Sequence, residues 1–148
     1  MGHPAKPAAS HDLSRFHEAQ EAVYPQALAE LKRGRKETHW MWFVFPQVEG
    51  LGMSPMTQRY AIRSAGEARA YLADPVLGPR LRACVEALLS VPGRSAREIM
   101  GTPDDVKLRS SLTLFAAVAD DPALFRKALA RFYGGQEDNR TLEQLEKW

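Results

Sequence analysis

Explicit helix-start signals recur along this chain, while strand signals are scarce, and that contrast constrains the fold more than any single motif. Ser64 with Glu67, and Ser95 with Glu98, have capping-box spacing, in which hydroxyl and carboxylate satisfy N–H groups that a helix start leaves free. Asp74-Pro75, Thr102-Pro103-Asp105 and Asp121-Pro122 put proline in the first turn, where its missing N–H costs nothing. Asp12 can cap a helix whose apolar residues Leu13, Phe16, Tyr24, Ala27, Leu28 and Leu31 fall roughly on one face. Pro25 interrupts that run, which predicts a kink or two short helices.

Stop signals match the starts. Lys32, Arg33, Arg35 and Lys36 flank Gly34, a combination that suits the negative end of a helix dipole and a left-handed cap. Gly101 and Gly134-Gly135 close two further helices, and Thr141 to Trp148 reads as a last short one. The helix opened by Ser64 is expected to run to Ala73. After Asp74-Pro75, Leu81, Cys84, Val85, Leu88 and Leu89 form a wide apolar stripe. The one strand candidate is Trp40 to Val48, but a lone strand has no partner. A short helix capped by Thr38 and stopped before Pro46 is the preferred reading. The expectation is therefore all-α: a compact single-domain bundle of about six to eight short helices over residues 12–148. Residues 1–11, rich in Ala and Pro, read as a flexible tail.

A chain of 148 residues suits one domain and buries enough surface to fold without a staple. Cys84 is the sole cysteine, so no intrachain disulfide forms, and its apolar context points to a buried thiol. Twenty basic and 18 acidic residues give a net charge of +2, too little to gather nucleic acid or an anionic membrane. The cluster from Lys32 to Lys36 reads as a solvated helix end. No apolar run spans a bilayer, and a cytoplasmic location is the default expectation. The histidines His3, His11, His17 and His39 form no i, i+4 pair and have no cysteine companions, so no metal is expected. Gly50-Leu51-Gly52 lacks the pattern of a phosphate-cradling loop, and no cofactor is expected.

Three segments carry polar residues that helix building does not require. In Lys36-Glu37-Thr38-His39-Trp40-Met41-Trp42-Phe43-Val44-Phe45-Pro46-Gln47, the aromatics suit a core helix, or else one wall of a pocket. In the pocket reading a flat ligand stacks on Trp40 or Trp42, with Lys36, His39 and Gln47 at the rim and His39 able to move a proton near neutral pH. In Asp104 to Phe115, helical spacing sets Leu108, Leu112, Phe115 and Ala119 on one stripe, and Lys107, Ser111, Leu114 and Val118 on another. Lys107 and Ser111 then sit at the wet end of a stripe that dives inward. Lys107 with Ser110 or Ser111 suits an ordinarily solvated helix face, or else an anion site, or a Ser–Lys nucleophile pair if the lysine were deprotonated. In Phe132 to Thr141, Gly134-Gly135 suits a helix stop, and Asp138 is either a cap or a pocket group.

With these segments in view, the chain resembles a widespread bacterial family of small all-α domains of unknown function, often labelled calpastatin-like. The resemblance rests on His39 to Gln47, Gly50-Leu51-Gly52 and Lys107 to Phe115, and covers nearly everything from Asp12 to Leu145. It implies an all-α fold and supplies no activity. Calpastatins are largely disordered, whereas this composition is that of a folded domain. Two functions follow from the residues. One is a small-ligand-binding domain, or a hydrolase, for a nucleotide-like or other anionic compound. There Lys36, His39, Trp40, Trp42, Gln47, Lys107, Ser110 and Ser111 bind, and His39 or Asp138 serves as acid or base. The other is a non-catalytic protein-interaction module.

Overall fold

The computed structural model describes residues 11–148, and the tail expected over 1–11 falls outside them except for His11. Ten helices lie among the described residues: α1 (Ser14–Glu21), α2 (Tyr24–Arg33), α3 (Met41–Val44), α4 (Pro55–Tyr60), α5 (Ala65–Ala73), α6 (Leu77–Leu89), α7 (Ala96–Met100), α8 (Asp104–Val118), α9 (Ala123–Tyr133) and α10 (Asn139–Lys147). The all-α expectation holds, but the count exceeds six to eight for two reasons. Of the two outcomes expected at Pro25 the structure shows two short helices, with Pro25 in the first turn of the second, so α1 and α2 count separately. The segment Ser54-Pro55 opens α4, with the Ser54 hydroxyl accepting from the Thr57 N–H, a start signal as explicit as the others.

Several anticipated boundaries are met by the bonds that cause them, but Pro103 and Pro122 stand at the N-caps of α8 and α9 and Pro75 one residue before that of α6, not in the first turns as expected. Ser95 and Glu98 form the reciprocal capping box of α7. Ser64 caps α5 by accepting from the Glu67 N–H at 3.0 Å, but Glu67 reaches back to the Arg63 N–H instead, so the box is not reciprocal. Asp74 accepts from the Val76 and Leu77 N–H groups at the start of α6. Gly34 takes the left-handed cap of α2 at φ 78°, and Gly134 does the same for α9 at φ 62°. Thr38 does not cap α3. Its N–H and hydroxyl go to Glu30, and Trp40 stands at the N-cap of α3 without a side-chain cap bond.

Helix α8 is the axis of the molecule and packs against α5, α7, α9 and α10, while α6 joins α2, α5 and α9. Leu108, Leu112, Leu114 and Phe115 are buried along α8. Phe115 meets Tyr71 of α5 at 5.4 Å between ring centroids and Phe125 of α9 at 6.1 Å. Tyr71 then meets Phe16 edge-on at 5.1 Å. Gln20 and the Tyr71 hydroxyl, both buried, satisfy each other and the Phe43 carbonyl. A lone bridge between Val48 and Ile62 pins the segment after α3 to the residues before α5. No described helix is long and apolar enough to cross a membrane.

Candidate functional site

Two polar assemblies grow from the aromatic segment, and only one opens to solvent. The first is a cage around Glu30, which is fully buried on α2. Its carboxylate accepts from the N–H groups of Glu37 and Thr38, the Thr38 hydroxyl, the Trp40 indole at 2.9 Å and the Gln26 amide. Burial by itself would raise the Glu30 pKa; the donors outweigh it and bring it down to about 2. The cage fixes Trp40, which is 0% exposed. Trp40 is therefore core, and its expected role as a stacking surface is corrected: no ligand reaches a ring enclosed on every side.

Lys36 stands on the edge of this cage. Its Nζ donates to the Thr38 carbonyl at 2.6 Å, lies 4.9 Å from the Trp40 ring and pairs with Asp104 at 3.0 Å. Only 7% of its side chain is exposed. Lys36 thus joins the aromatic segment to the start of α8 and lines no cleft. His39 is exposed and is not among the residues that line the cleft.

The second assembly is a cleft of about 370 Å³ at the junction of three segments. Gln47, Leu51, Gly52 and Thr57 form one wall, Pro103, Val106, Lys107, Arg109 and Ser110 the floor, and Asp138 with Arg140 the far side. Backbone bonds from Ile62 to the Gln47 carbonyl (2.8 Å) and from Glu49 to the Ile62 carbonyl (3.0 Å) hold the first wall. Arg140 ties the far side to it by donating to the Gly50 carbonyl at 3.2 Å. Asp138 is anchored by its N–H to the Thr113 hydroxyl, and one carboxylate oxygen caps α10 through the Thr141 N–H and hydroxyl. A cavity of similar volume adjoins across Gly52 and Thr57, but its charged groups, Glu49 and Arg63, are of opposite sign.

Charge distinguishes the cleft. Lys107, Arg109 and Arg140 face one carboxylate, that of Asp138. Among the described residues neither arginine has a carboxylate within ion-pair distance, and Lys107 has only Asp104 at 3.9 Å. The Arg109 Nε is buried without a hydrogen-bond partner. Lys107 also lies 5.9 Å from the ring of Trp42, which is half-buried and borders a very small space shared with Gln47 and Thr57.

The structure thus brings Gln47, Lys107, Ser110 and Asp138 together at the cleft, with Trp42 behind Lys107. It leaves Lys36, His39, Trp40 and Ser111 outside. Ser111 is 0% exposed with its hydroxyl unpartnered, because α8 is buried on more of its circumference than two stripes require. No hydrogen bond joins Lys107 to Ser110 or Ser111: the Ser110 hydroxyl donates to the Val106 carbonyl and the Ser111 hydroxyl is unpartnered, so the Ser–Lys pair is not formed. Thr57, Arg109 and Arg140 complete the site and were not singled out from sequence. Arg109 and Arg140 stood inside segments already in view, Asp104 to Phe115 and Phe132 to Thr141; nothing local marks Thr57.

A solved structure of the conserved hypothetical protein Rv1873 from Mycobacterium tuberculosis is similar, with 53% sequence identity and a TM-score of 0.90, covering 91% of this chain and 96% of that one. No curated protein matches the chain. A family model described as protein of unknown function (DUF1810) matches residues 10–145. The resemblance drawn from His39 to Gln47 and Lys107 to Phe115 is therefore a family relationship, and the chain belongs to this DUF1810 family of unknown function.

Proposed function

We propose that the cleft between the Gln47–Thr57 loop, α8 and α10 binds a small molecule carrying about two negative charges. The observation that supports this is the meeting of Lys107, Arg109 and Arg140 with a single opposing carboxylate, Asp138. Unpaired cations on the wall of a cleft favour an anion, and guanidinium groups suit the planar or tetrahedral oxygens of carboxylate and phosphate. Gln47, Thr57 and Ser110 add neutral hydrogen-bonding groups, while Leu51, Pro103 and Val106 supply apolar wall for an uncharged part of the ligand. A phosphate monoester, including a nucleotide, or a dicarboxylate fits this balance.

The reading is one of binding. Asp138 spends one oxygen on the α10 cap, and His39 is not among the residues lining the cleft, so the polar groups that are there serve binding first. A second reading, a face for a protein partner, is favoured by exposed apolar residues beside the same loop: Met53 is 83% exposed and Val106 48%.

A thermal-shift panel of nucleoside monophosphates, sugar phosphates, pyrophosphate and dicarboxylates tests the proposal. The expected result is a rise in melting temperature with at least one phosphate or dicarboxylate, lost in Arg109→Ala and Lys107→Ala. At a hundredfold excess over Kd the stabilisation is about 2.7 kcal/mol. A panel with no shift, or a shift that both variants retain, overturns it in favour of the protein-partner reading.

A further inference from the structure

We propose that Lys36 is a positioning residue for the anion cleft: by holding Asp104 it leaves the Lys107 ammonium free to meet the ligand. The inference rests on the anion-binding reading above. Asp104 and Lys107 sit one helical turn apart on α8, close enough for a local ion pair that would neutralise the lysine before any ligand arrived. Instead the Asp104 carboxylate is shared unequally. One oxygen is 3.0 Å from Lys36 Nζ, within hydrogen-bond reach, and the other is 3.9 Å from Lys107 Nζ, beyond it.

The geometry of Lys36 makes that preference durable. Its ammonium is confined by the Thr38 carbonyl at 2.6 Å, the Trp40 ring at 4.9 Å and Asp104. Trp40 is itself fixed by its indole bond to Glu30 at 2.9 Å. Lys36 is nearly enclosed, at 7% side-chain exposure, whereas Lys107 keeps 28% and lines the cleft. The better-buried cation binds the acid more strongly because solvent screens that pair less. An unbroken chain of contacts, Glu30 to Trp40 to Lys36 to Asp104 to Lys107, therefore runs from the core to the cleft. It also accounts for the aromatic segment ending beside α8 without contributing Lys36 or Trp40 to the cleft wall.

Titration calorimetry of the full chain with inorganic pyrophosphate at low ionic strength tests this. Lys36→Met hands Asp104 to Lys107 and weakens binding about twofold to fivefold, the range set by a partly exposed ion pair. Lys36→Arg keeps the charge and the affinity. Asp104→Asn binds at least as tightly as the wild type, and in that background Lys36→Met has no further effect. A Lys36→Met protein with wild-type affinity, or a double variant as weak as Lys36→Met alone, overturns the proposal, since the latter is what mere packing would give. Should Lys36→Met fail to fold, Asp104→Asn decides alone: tighter or equal binding supports the proposal, weaker binding overturns it. Failure of the wild type to bind pyrophosphate overturns the anion reading itself. Loss in Lys107→Ala with none in Lys36→Met removes only the positioning role.

Discussion

Glu30 shows how one buried charge organises its surroundings without a cation. Its carboxylate collects donors from Gln26, Glu37, Thr38 and Trp40, so the turn after α2 and the buried Trp40 ring are set by a single side chain. Hydrogen bonds to an ionised acceptor are the stronger kind, and removing the acceptor strands several buried donors. The folded pKa lies below the unfolded one, falling from 4.5 to about 2. Stability from Glu30 is therefore fully present above about pH 4.5 and is lost as pH falls toward 2. Urea unfolding at pH 7 is expected to show Glu30→Gln destabilised by about 2–3 kcal/mol, with the gap to wild type narrowing at pH 3. A gap that stays constant across that range would contradict the cage as the source. Cys84, in contrast, carries no such role: burial pushes its thiol up to about 12, and it packs as a small apolar group.

At the scale of the helices, side-chain caps start α4, α5, α7 and α10, and one glycine explains a close approach. Gly78 is the second residue of α6, a helical position at which alanine is ordinarily the better former. Yet a Cβ there would sit 2.1 Å from the Leu72 carbonyl oxygen, a backbone atom of α5 that cannot step aside. Gly78→Ala is therefore expected to reverse the propensity rule and destabilise by about 2 kcal/mol or more. A melting temperature at or above wild type would show that α5 and α6 separate easily. The same two helices carry Tyr71 and Cys84 into the core, so their close contact brings the aromatic chain to α8.

The cleft is a property of the whole molecule. Its walls come from residues 47–57, 103–110 and 138–140, which meet only when α10 packs on α8 and the Val48–Ile62 bridge holds the loop. A ligand seated there touches all three and stabilises the domain against global unfolding. Because the attraction is between solvent-facing charges, the thermal shift is expected to shrink when ionic strength rises from about 0.01 to about 1 M, as the screening length falls from about 30 to about 3 Å. A shift independent of salt would place the affinity in apolar contacts instead.

The sequence by itself determined the all-α class, several helix boundaries and the buried stripe of α8. Capping residues, prolines and glycines act over three or four positions, and their effect is written beside them. It also marked Gln47, Lys107, Ser110 and Asp138, which do meet. Only the tertiary structure decided which face of each segment was wet. Trp40 and Ser111 are enclosed because neighbouring elements cover them, and Lys36 is turned to Asp104 although both lie in segments that read as pocket-lining. Thr57 and Arg140 join the site through packing between residues far apart in the chain, and no local pattern encodes such a distance. Short-range bonding rules fix the helices, whereas a cleft is the space their packing leaves open, and that depends on every side chain at once.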